Sequence, residues 1–216
     1  MVGEMSDSAM GRPVRGLILD YGGVLTLSQD AASVTGMVEL LEVEEGLFRR
    51  VYRQRRPDFD AGRVSGEAYW RGVIGDCGLD PAGVDIGRLI ELDVQSWTQL
   101  NPAMVQFVGD VRSRVHRLAI ISNMTQTTLV WMRKHLEWLA LFDACVFSCE
   151  IGVNKPDPAI YALCARRLGL DAGECLFVDD SAKNVKGARE IGMAAIRFEG
   201  VEPFVAELGT YELVRR

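Results

Sequence analysis

The sequence predicts an α/β fold, a parallel sheet core with an inserted α-helical cap, from three observations. An apolar run at residues 17–19 ends at Asp20 and has the length and hydrophobicity of a buried strand. A stretch of about 70 residues with helical spacing and no strong strand follows it, far longer than one crossover helix needs. From Asn101 the chain alternates between apolar runs and helical patterns, as in parallel sheets with right-handed crossovers.

The first element is the strand that ends at Asp20, and two glycines, Gly22 and Gly23, follow it closely. Glycine lets the backbone turn sharply and approach a ligand. An acidic residue at the carboxyl end of a buried parallel strand lies where α/β sheets bind ligands. This stretch alone leaves two interpretations open: Asp20 either contacts a ligand or only caps a turn.

The second element is the predicted helical cap at residues 29–98. Apolar residues recur there at helical spacing. We expect breaks between its helices at residues 56–58, which contain a proline, and at residues 78–81. A small cap is favoured over an ordinary crossover because a single crossover helix would leave most of this segment without a partner.

The rest of the chain is assigned to the core domain, residues 14–28 and 99–216. Residues 1–13 are predicted to be a disordered leader, since they have neither the basic start nor the apolar stretch of a signal peptide. The later core strands are predicted at residues 118–121, 145–147, 175–178 and 194–196. The core helices are predicted at residues 102–114, 125–139, 157–168 and 181–190, with one short helix within residues 201–216.

Composition and charge argue against several classes of function. The formal net charge of −6 disfavours binding to nucleic acids or to anionic membrane surfaces. No apolar run approaches the length of a transmembrane helix. The five cysteines form no paired CxxC metal site and no even disulfide framework, so we expect reduced thiols and a cytoplasmic protein. The sequence leaves the oligomeric state open.

Three later strands also end at, or lead to, reactive polar residues: Ser122 and Asn123, Lys155, and the pair Asp179 and Asp180. Because the carboxyl ends of parallel strands meet at one edge of the sheet, we expect these side chains to gather near Asp20. Carboxylates gather only where a positive charge holds them, and oxygen ligands suit Mg²⁺. Ser122 and Lys155 can donate hydrogen bonds to the oxygens of an anion. The pattern predicts a site for a metal ion and an anionic substrate.

Four motifs in fixed order, LDYGGVLT, IISNMT, GVNKPDPAIY and LFVDDSAKN, carry a specific resemblance. They resemble the motifs of the haloacid dehalogenase superfamily: a strand ending in Asp, a strand ending in Ser or Thr, a Lys, and paired acids. The fit covers residues 14–198. The chain is most similar to phosphatase-like members of the subfamily I type, which have an Asp-x-Gly-Gly sequence and a helical cap after the first motif. The resemblance implies a Rossmann-like core.

The resemblance implies a Mg²⁺-dependent phosphohydrolase that acts on a small phosphorylated metabolite through an aspartyl-phosphate intermediate. Asp20 is implied to be the nucleophile, and a carboxylate with an ordinary pKa needs no activating base. The implied metal ligands are Asp20, the Gly22 carbonyl and Asp180. The implied phosphate-binding groups are Ser122, the Asn123 amide and Lys155. Asp179 and Asn184 are implied to orient the ion and its waters.

One position departs from the family pattern. Most phosphatases of this family have a second Asp two residues after the nucleophile, acting as general acid and base, and this chain has Gly22. A general acid or base is typically worth about 10²–10⁴-fold in rate. The cap contains three carboxyls that could replace it: Asp58, Asp60 and Glu67.

Two alternatives stay open. A haloacid dehalogenase-type hydrolase would also use Asp20 as nucleophile, but that branch needs no metal and lacks the paired acids that this chain has at Asp179 and Asp180. A weakly active protein that binds phosphorylated metabolites is the other. The phosphonate-cleaving branch is excluded, because it uses a cap lysine and residues 29–98 contain none.

Overall fold

The computed structural model of the chain describes residues 13–215. The predicted leader lies outside the described residues, except for Pro13. Across the part that the structure describes, no helix is both long enough and apolar enough to cross a membrane. All five cysteines are free thiols, as expected from their spacing.

A five-stranded parallel sheet forms the centre of the fold. Its strands are β1 Gly16–Leu19, β2 Arg117–Ser122, β3 Ala144–Phe147, β4 Cys175–Asp179 and β5 Ala194–Arg197. They lie in the order β3-β2-β1-β4-β5, and every neighbouring pair is parallel. Strand β1 is the middle strand of this order, and all of its residues are buried. The residue that follows it therefore lies in the middle of the sheet edge. The predicted α/β class is confirmed.

The inserted unit, called the cap below, consists of the first four helices after β1: α1 Ala31–Leu41, α2 Glu45–Asp60, α3 Gly66–Asp76 and α4 Ile86–Ser96. A side chain before each helix accepts a hydrogen bond from its first turn, which satisfies backbone donors left free there: Asp30, Glu44, Ser65 and Asp85. The apolar faces of the four helices pack into a core of their own, distinct from the apolar layers that flank the sheet. The largest members of this core are aromatic: Phe48, Tyr52, Phe59, Tyr69 and Trp70.

Six further helices follow: α5 Pro102–Val111, α6 Gln126–His135, α7 Ser148–Ile151, α8 Pro158–Leu168, α9 Ala182–Glu190 and α10 Val201–Leu208. Helices α5, α6 and α10 bury apolar side chains against one face of the sheet. Helices α8 and α9 do so against the other face. The sheet is therefore covered on both sides, which leaves its edges and strand ends as the places for a site.

Three helix boundaries predicted from the sequence are wrong. Helix α5 ends at Val111 rather than at residue 114, because residues 112–114 form a turn. Helix α2 continues through the expected break at residues 56–58, because Phe59 is buried in the cap core and the Pro57 carbonyl still accepts a bond from Ala61. These tertiary contacts offset the hydrogen bond that proline removes. Helix α6 ends at His135, where the buried Leu136 turns the chain towards the core.

The end of α2 docks on the core beside β3. The Ser148 hydroxyl donates to the Asp60 carbonyl, and the Asn154 side chain donates to the Pro57 carbonyl at 2.7 Å. Gly62 follows with a φ of 67°, and a Cβ placed there would lie 2.5 Å from the Cys149 carbonyl oxygen. Only glycine allows both this left-handed conformation and this close approach. This short segment thus helps to hold the cap against the core.

We expect Gly62→Ala to lower the free energy of unfolding more than Gly78→Ala. Both glycines have a positive φ, which costs a side-chain residue roughly 1–2 kcal/mol. A Cβ at Gly78 meets open space, whereas a Cβ at Gly62 collides with Cys149, and such overpacking adds about 1–3 kcal/mol. Urea unfolding of both variants measures the difference. Equal losses would mean that the cap does not need this close approach.

Candidate active site

Asp20 stands at the carboxyl end of β1, in the middle of the sheet edge. Its backbone N–H donates to the Val178 carbonyl at 2.9 Å, and its side chain accepts from the Tyr21 N–H at 2.7 Å. The carboxylate is therefore held in one orientation. Asp20 is 6% exposed and lines a cavity of about 500 Å³ between the core and the cap.

The Lys155 ammonium lies between two carboxylates. Its Nζ is 2.7 Å from Asp20 Oδ1 and 2.6 Å from Asp179 Oδ2, and it also donates to the Ile121 carbonyl at 3.2 Å. Its side chain is 1% exposed. All three donors of the ammonium thus have acceptors, which is the condition for burying a charge at tolerable cost.

The electrostatics of this cluster differ from the sequence-based assumption of an ordinary carboxyl. Burial raises the pKa of Asp20, the Lys155 charge opposes that rise, and the neighbouring Asp179 adds to it. For Lys155, burial lowers the pKa, but the two carboxylates outweigh it and the net direction is upward. The net effect raises the pKa of Asp20 to about 8. An ionised Asp20 at neutral pH therefore needs positive charge beyond that of Lys155.

Asp179 is fully buried, and both of its oxygens are occupied. Asp179 Oδ1 accepts from the Ser181 N–H at 2.8 Å, and Asn184 Nδ2 lies 3.1 Å from each oxygen. With Lys155 on Oδ2, this carboxylate is surrounded by donors. The arrangement suits a group that positions Lys155 and Asn184.

Asp180 is the exposed acid of the pair. One oxygen each from Asp20, Asp179 and Asp180 lie within 4.8 Å of one another. Gly23 brings the first loop close to this cluster, since its φ is 73° and a Cβ there would lie 2.5 Å from Asp180 Oδ2. Oxygen donors at this spacing fit the ligands that Mg²⁺ prefers.

Ser122 is the last residue of β2, and Asn123 follows it at the same edge. The Asn123 side chain accepts from the Lys155 N–H at 2.7 Å and donates to the Lys155 carbonyl at 3.1 Å, so it fixes the main chain that carries the lysine. The Ser122 hydroxyl lines the cavity and makes only a long contact, 3.5 Å, to the Asn123 carbonyl. It is a donor available to a bound anion.

Gly22 also lines the cavity, and its backbone is unstrained. Its φ of −67° and ψ of 127° are open to any residue, unlike the φ of Gly23. A Cβ at Gly22 would lie 3.5 Å from the Trp97 ring, which is an ordinary contact. The missing carboxyl at this position is therefore not imposed by the backbone.

The cap side of the cavity contains a hydrogen-bonded network that the sequence did not predict. Arg56 Nη1 donates to both oxygens of the buried Asp93, at 2.8 and 2.9 Å. The Tyr52 hydroxyl donates to Asp93 at 2.6 Å and receives a hydrogen bond from the Trp97 ring at 3.3 Å. The signal in the sequence was Asp93 itself, a carboxylate at an apolar position of α4, which needs a buried cation.

Of the three cap carboxyls that could replace the acid at Gly22, one lies at the cavity. Asp58 has a 62% exposed side chain paired with Arg63, and Glu67 has a 64% exposed side chain paired with Arg71. Asp60 lines the cavity with Asp20 and has a 14% exposed side chain.

Comparison with known proteins gives one family. The model described as haloacid dehalogenase-like hydrolase matches residues 14–192. Acyl-CoA dehydrogenase family member 10 of Mus musculus is 28% identical over 210 residues, which cover 92% of this chain and 19% of the relative. Phosphatase MT3486 of Mycobacterium tuberculosis is 36% identical over 111 residues, which cover 50% of each chain. The matched part thus spans half or less of the length of these two relatives.

Solved structures share the fold. A HAD family enzyme from Bacteroides thetaiotaomicron aligns with a TM-score of 0.75 at 18% identity, over 91% of this chain and 99% of that one. The L-2-haloacid dehalogenase from Xanthobacter autotrophicus aligns with a TM-score of 0.64 at 22% identity, over 91% of this chain and 83% of that one. At these identities the similarity shows the fold and does not separate a phosphatase from a dehalogenase.

We expect Lys155→Met to lower the free energy of unfolding by about 3–5 kcal/mol, since it leaves buried carboxylates without their cation. The loss of Lys155 raises the pKa of Asp20 further, because the lysine opposes the rise that burial causes. A carboxyl whose pKa is raised on folding costs no stability below its unfolded pKa, where it is protonated in both states. The loss of unfolding free energy in Lys155→Met is therefore smallest at acidic pH and grows as pH increases. Urea unfolding at about pH 5 and about pH 8 tests this.

The matched control is Lys186→Met, since that lysine is 79% exposed and pairs with Glu190 on the surface of α9. We expect a change within about 0.5 kcal/mol at either pH. A change in unfolding free energy as small as this for Lys155→Met, or a change that does not depend on pH, would contradict the central role of the buried ammonium.

Proposed function

The chain belongs to the haloacid dehalogenase-like hydrolases, and from that premise we propose that it is a Mg²⁺-dependent phosphohydrolase that acts on a small phosphorylated metabolite through an aspartyl-phosphate intermediate. One observation carries the proposal. The buried Asp20 lies beside the Lys155 ammonium and beside the acidic pair Asp179 and Asp180, at a cavity also lined by Ser122.

The acidic pair favours phosphate over an alkyl halide as the substrate. Displacement of a halide by Asp20 needs no cation other than one that stabilises the carboxylate. A phosphate ester, in contrast, brings further negative charge to a site that already holds three acids. Asp180 is exposed beside this cluster, and the structure shows no cationic side chain paired with it among residues 13–215. An acid in that position suits a divalent ion better than it suits halide chemistry.

Asp20, the Gly22 carbonyl and Asp180 would hold the ion, with Asp179 and Asn184 orienting it. Bound there, Mg²⁺ would neutralise charge on the phosphoryl oxygens and on the nucleophile. The protein itself neutralises part of the charge on the nucleophile, since Lys155 already lies 2.7 Å from Asp20. Relief from repulsion between two anions is the main need of this reaction.

The side chains divide the work as follows. An oxygen of Asp20 attacks phosphorus, and the bond from phosphorus to the leaving oxygen breaks. Ser122 and the Asn123 main-chain amide donate to the phosphoryl oxygens, and the positive charge of Lys155, beside Asp20, attracts them. Asn123 keeps Lys155 in position through the two hydrogen bonds to its main chain. Water then attacks the phosphorus of the aspartyl phosphate, which releases inorganic phosphate and restores Asp20.

The cavity limits the substrate to a small molecule. Its volume of about 500 Å³ lies at the low end of the range of small-ligand pockets. Two arginines of α2, Arg49 and Arg53, line its cap side, so an additional anionic or polar group on the metabolite is favoured there.

We expect Asp20→Asn to reduce phosphatase turnover by roughly 10⁴–10⁶-fold, as for removal of other enzymatic nucleophiles. The amide keeps the shape of the carboxyl and loses its negative charge. Release of 4-nitrophenol from 4-nitrophenyl phosphate with Mg²⁺ measures the effect. Turnover of that ester by the unmodified protein also separates an enzyme from a protein that only binds phosphorylated metabolites. Retained activity in a pure variant, free of deamidation, would refute the assignment of Asp20.

We expect removal of Mg²⁺ by a chelator to abolish turnover, and Asp180→Ala to weaken activation by Mg²⁺ more than Asp179→Ala does. A group that only orients a ligand is typically worth about 10–100-fold in affinity, and a direct ligand more. Asp179→Ala should instead lower the melting temperature more, because Asp179 is fully buried and bonded to Lys155. Mg²⁺ titration of activity and thermal unfolding test both rankings. The reverse order in Mg²⁺ activation would exchange the two roles.

A further inference from the structure

We propose that Asp60 of the cap is the proton donor and acceptor of the reaction, in place of the carboxyl that is missing at Gly22. The proposal rests on the phosphatase function above. It gives a catalytic role to a side chain of the cap.

The fold brings Asp60 to the reacting groups. It is the last residue of α2 and lines the cavity that also contains Asp20 and Lys155. The Ser148 hydroxyl donates to the Asp60 carbonyl and accepts from the Met124 N–H at 2.8 Å. A single serine therefore links Asp60 to the loop that begins with Ser122. The close approach at Gly62 fixes the same segment from the other side.

The side chain of Asp60 has an oxygen free for a substrate. Asp60 Oδ1 accepts from Arg56 Nε at 2.8 Å. Among residues 13–215, no donor lies within hydrogen-bonding distance of Oδ2. The Asp60 side chain is 14% exposed and lines the cavity that Asp20 also lines, so a leaving group bound there lies beside it.

A count of charges explains how Asp60 can hold a proton. Arg56 is shared by two carboxylates, Asp60 and Asp93. Asp93 is 1% exposed and takes two hydrogen bonds from Arg56 and one from Tyr52. One guanidinium thus faces a buried and a partly buried carboxylate, and Asp60 is the less bonded of the two and the better placed to take up a proton.

The groups that face Asp60 shift its pKa in both directions. Burial raises its pKa, Arg56 and Lys155 lower it, and Asp93 raises it, with a net upward direction. Two further titratable neighbours are the Cys149 thiol and the Tyr69 hydroxyl. Burial raises the pKa of each, and Asp60 raises it further. A phosphate ester in the cavity would add negative charge and favour the protonated form again.

The chemistry balances over the two half-reactions. In the first, Asp20 bonds to phosphorus, the leaving oxygen departs, and the Asp60 carboxyl gives it a proton, so an alcohol leaves and Asp60 becomes a carboxylate. In the second, that carboxylate takes a proton from the attacking water. The bond between phosphorus and Asp20 breaks, inorganic phosphate leaves, and Asp60 is again protonated.

The test compares kcat/KM of Asp60→Asn and of the unmodified protein over a series of aryl phosphates, from 4-nitrophenyl to 4-methylphenyl phosphate, with Mg²⁺. The parameter kcat/KM reports the first half-reaction alone. The series changes the basicity of the leaving oxygen and keeps the shape of the substrate similar. Asp58→Asn is the matched control, since that residue is exposed on the same helix.

We expect a shallow dependence on leaving-group pKa for the unmodified protein and for Asp58→Asn. Asp60→Asn should lose about 10²–10⁴-fold on 4-methylphenyl phosphate and less than about 10-fold on 4-nitrophenyl phosphate, which needs little protonation. Asp60→Glu, which restores an acid, should keep a shallow dependence. If Asp60→Asn does not fold, Asp60→Ser is measured in the same way.

Two outcomes would overturn the role of Asp60. One is an equal loss on both esters, which indicates a binding or structural effect. The other is a steep dependence in the unmodified protein, which would mean that no acid acts and would leave the phosphatase function standing. Absence of any turnover by the unmodified protein would instead refute the phosphatase function, and the role of Asp60 with it.

Discussion

The site depends on the ion pairs that the buried ammonium of Lys155 makes with Asp20 and Asp179. Parallel pairing aligns Leu19 of β1 with Val178 of β4, so the residues that follow, Asp20 and Asp179, meet at the sheet edge as two buried carboxylates. Without a cation between them, one carboxyl would have to be protonated. Lys155 therefore makes it possible for both β1 and β4 to lead to a buried carboxylate at this edge.

The segment that places Lys155 also receives the cap. Asn123 bonds to the main chain of Lys155 on both sides, and Asn154, the residue before, donates to the Pro57 carbonyl of α2. A shift of the cap at this point would therefore move the residue next to the buried ammonium. The docking of the cap and the position of the buried ammonium therefore depend on two consecutive residues, 154 and 155.

Much of the fold and of the core side of the site could be predicted from the sequence, because both depend on local patterns. Apolar runs gave the strands, and the rule that parallel strands end at one edge brought Asp20 together with Lys155. The cap side could not be predicted in this way. The continuation of α2 through Pro57 and the Arg56–Asp93 pair depend on contacts between separate helices. The pKa of Asp20 was also misjudged, since burial is a property of the folded chain.

The geometry gives a reason for a proton donor on the cap. A carboxyl at Gly22 would fit the backbone, but it would add a further acid two residues from Asp20, at a sheet edge that already holds Asp179 and Asp180. Lys155 is already shared by two of those acids, so the new carboxyl would depend on a metal ion for its stability. Asp60 pairs instead with Arg56 of the cap, a cation that it shares with Asp93. Placing the proton donor there separates proton transfer from the charges that hold the nucleophile and the phosphate.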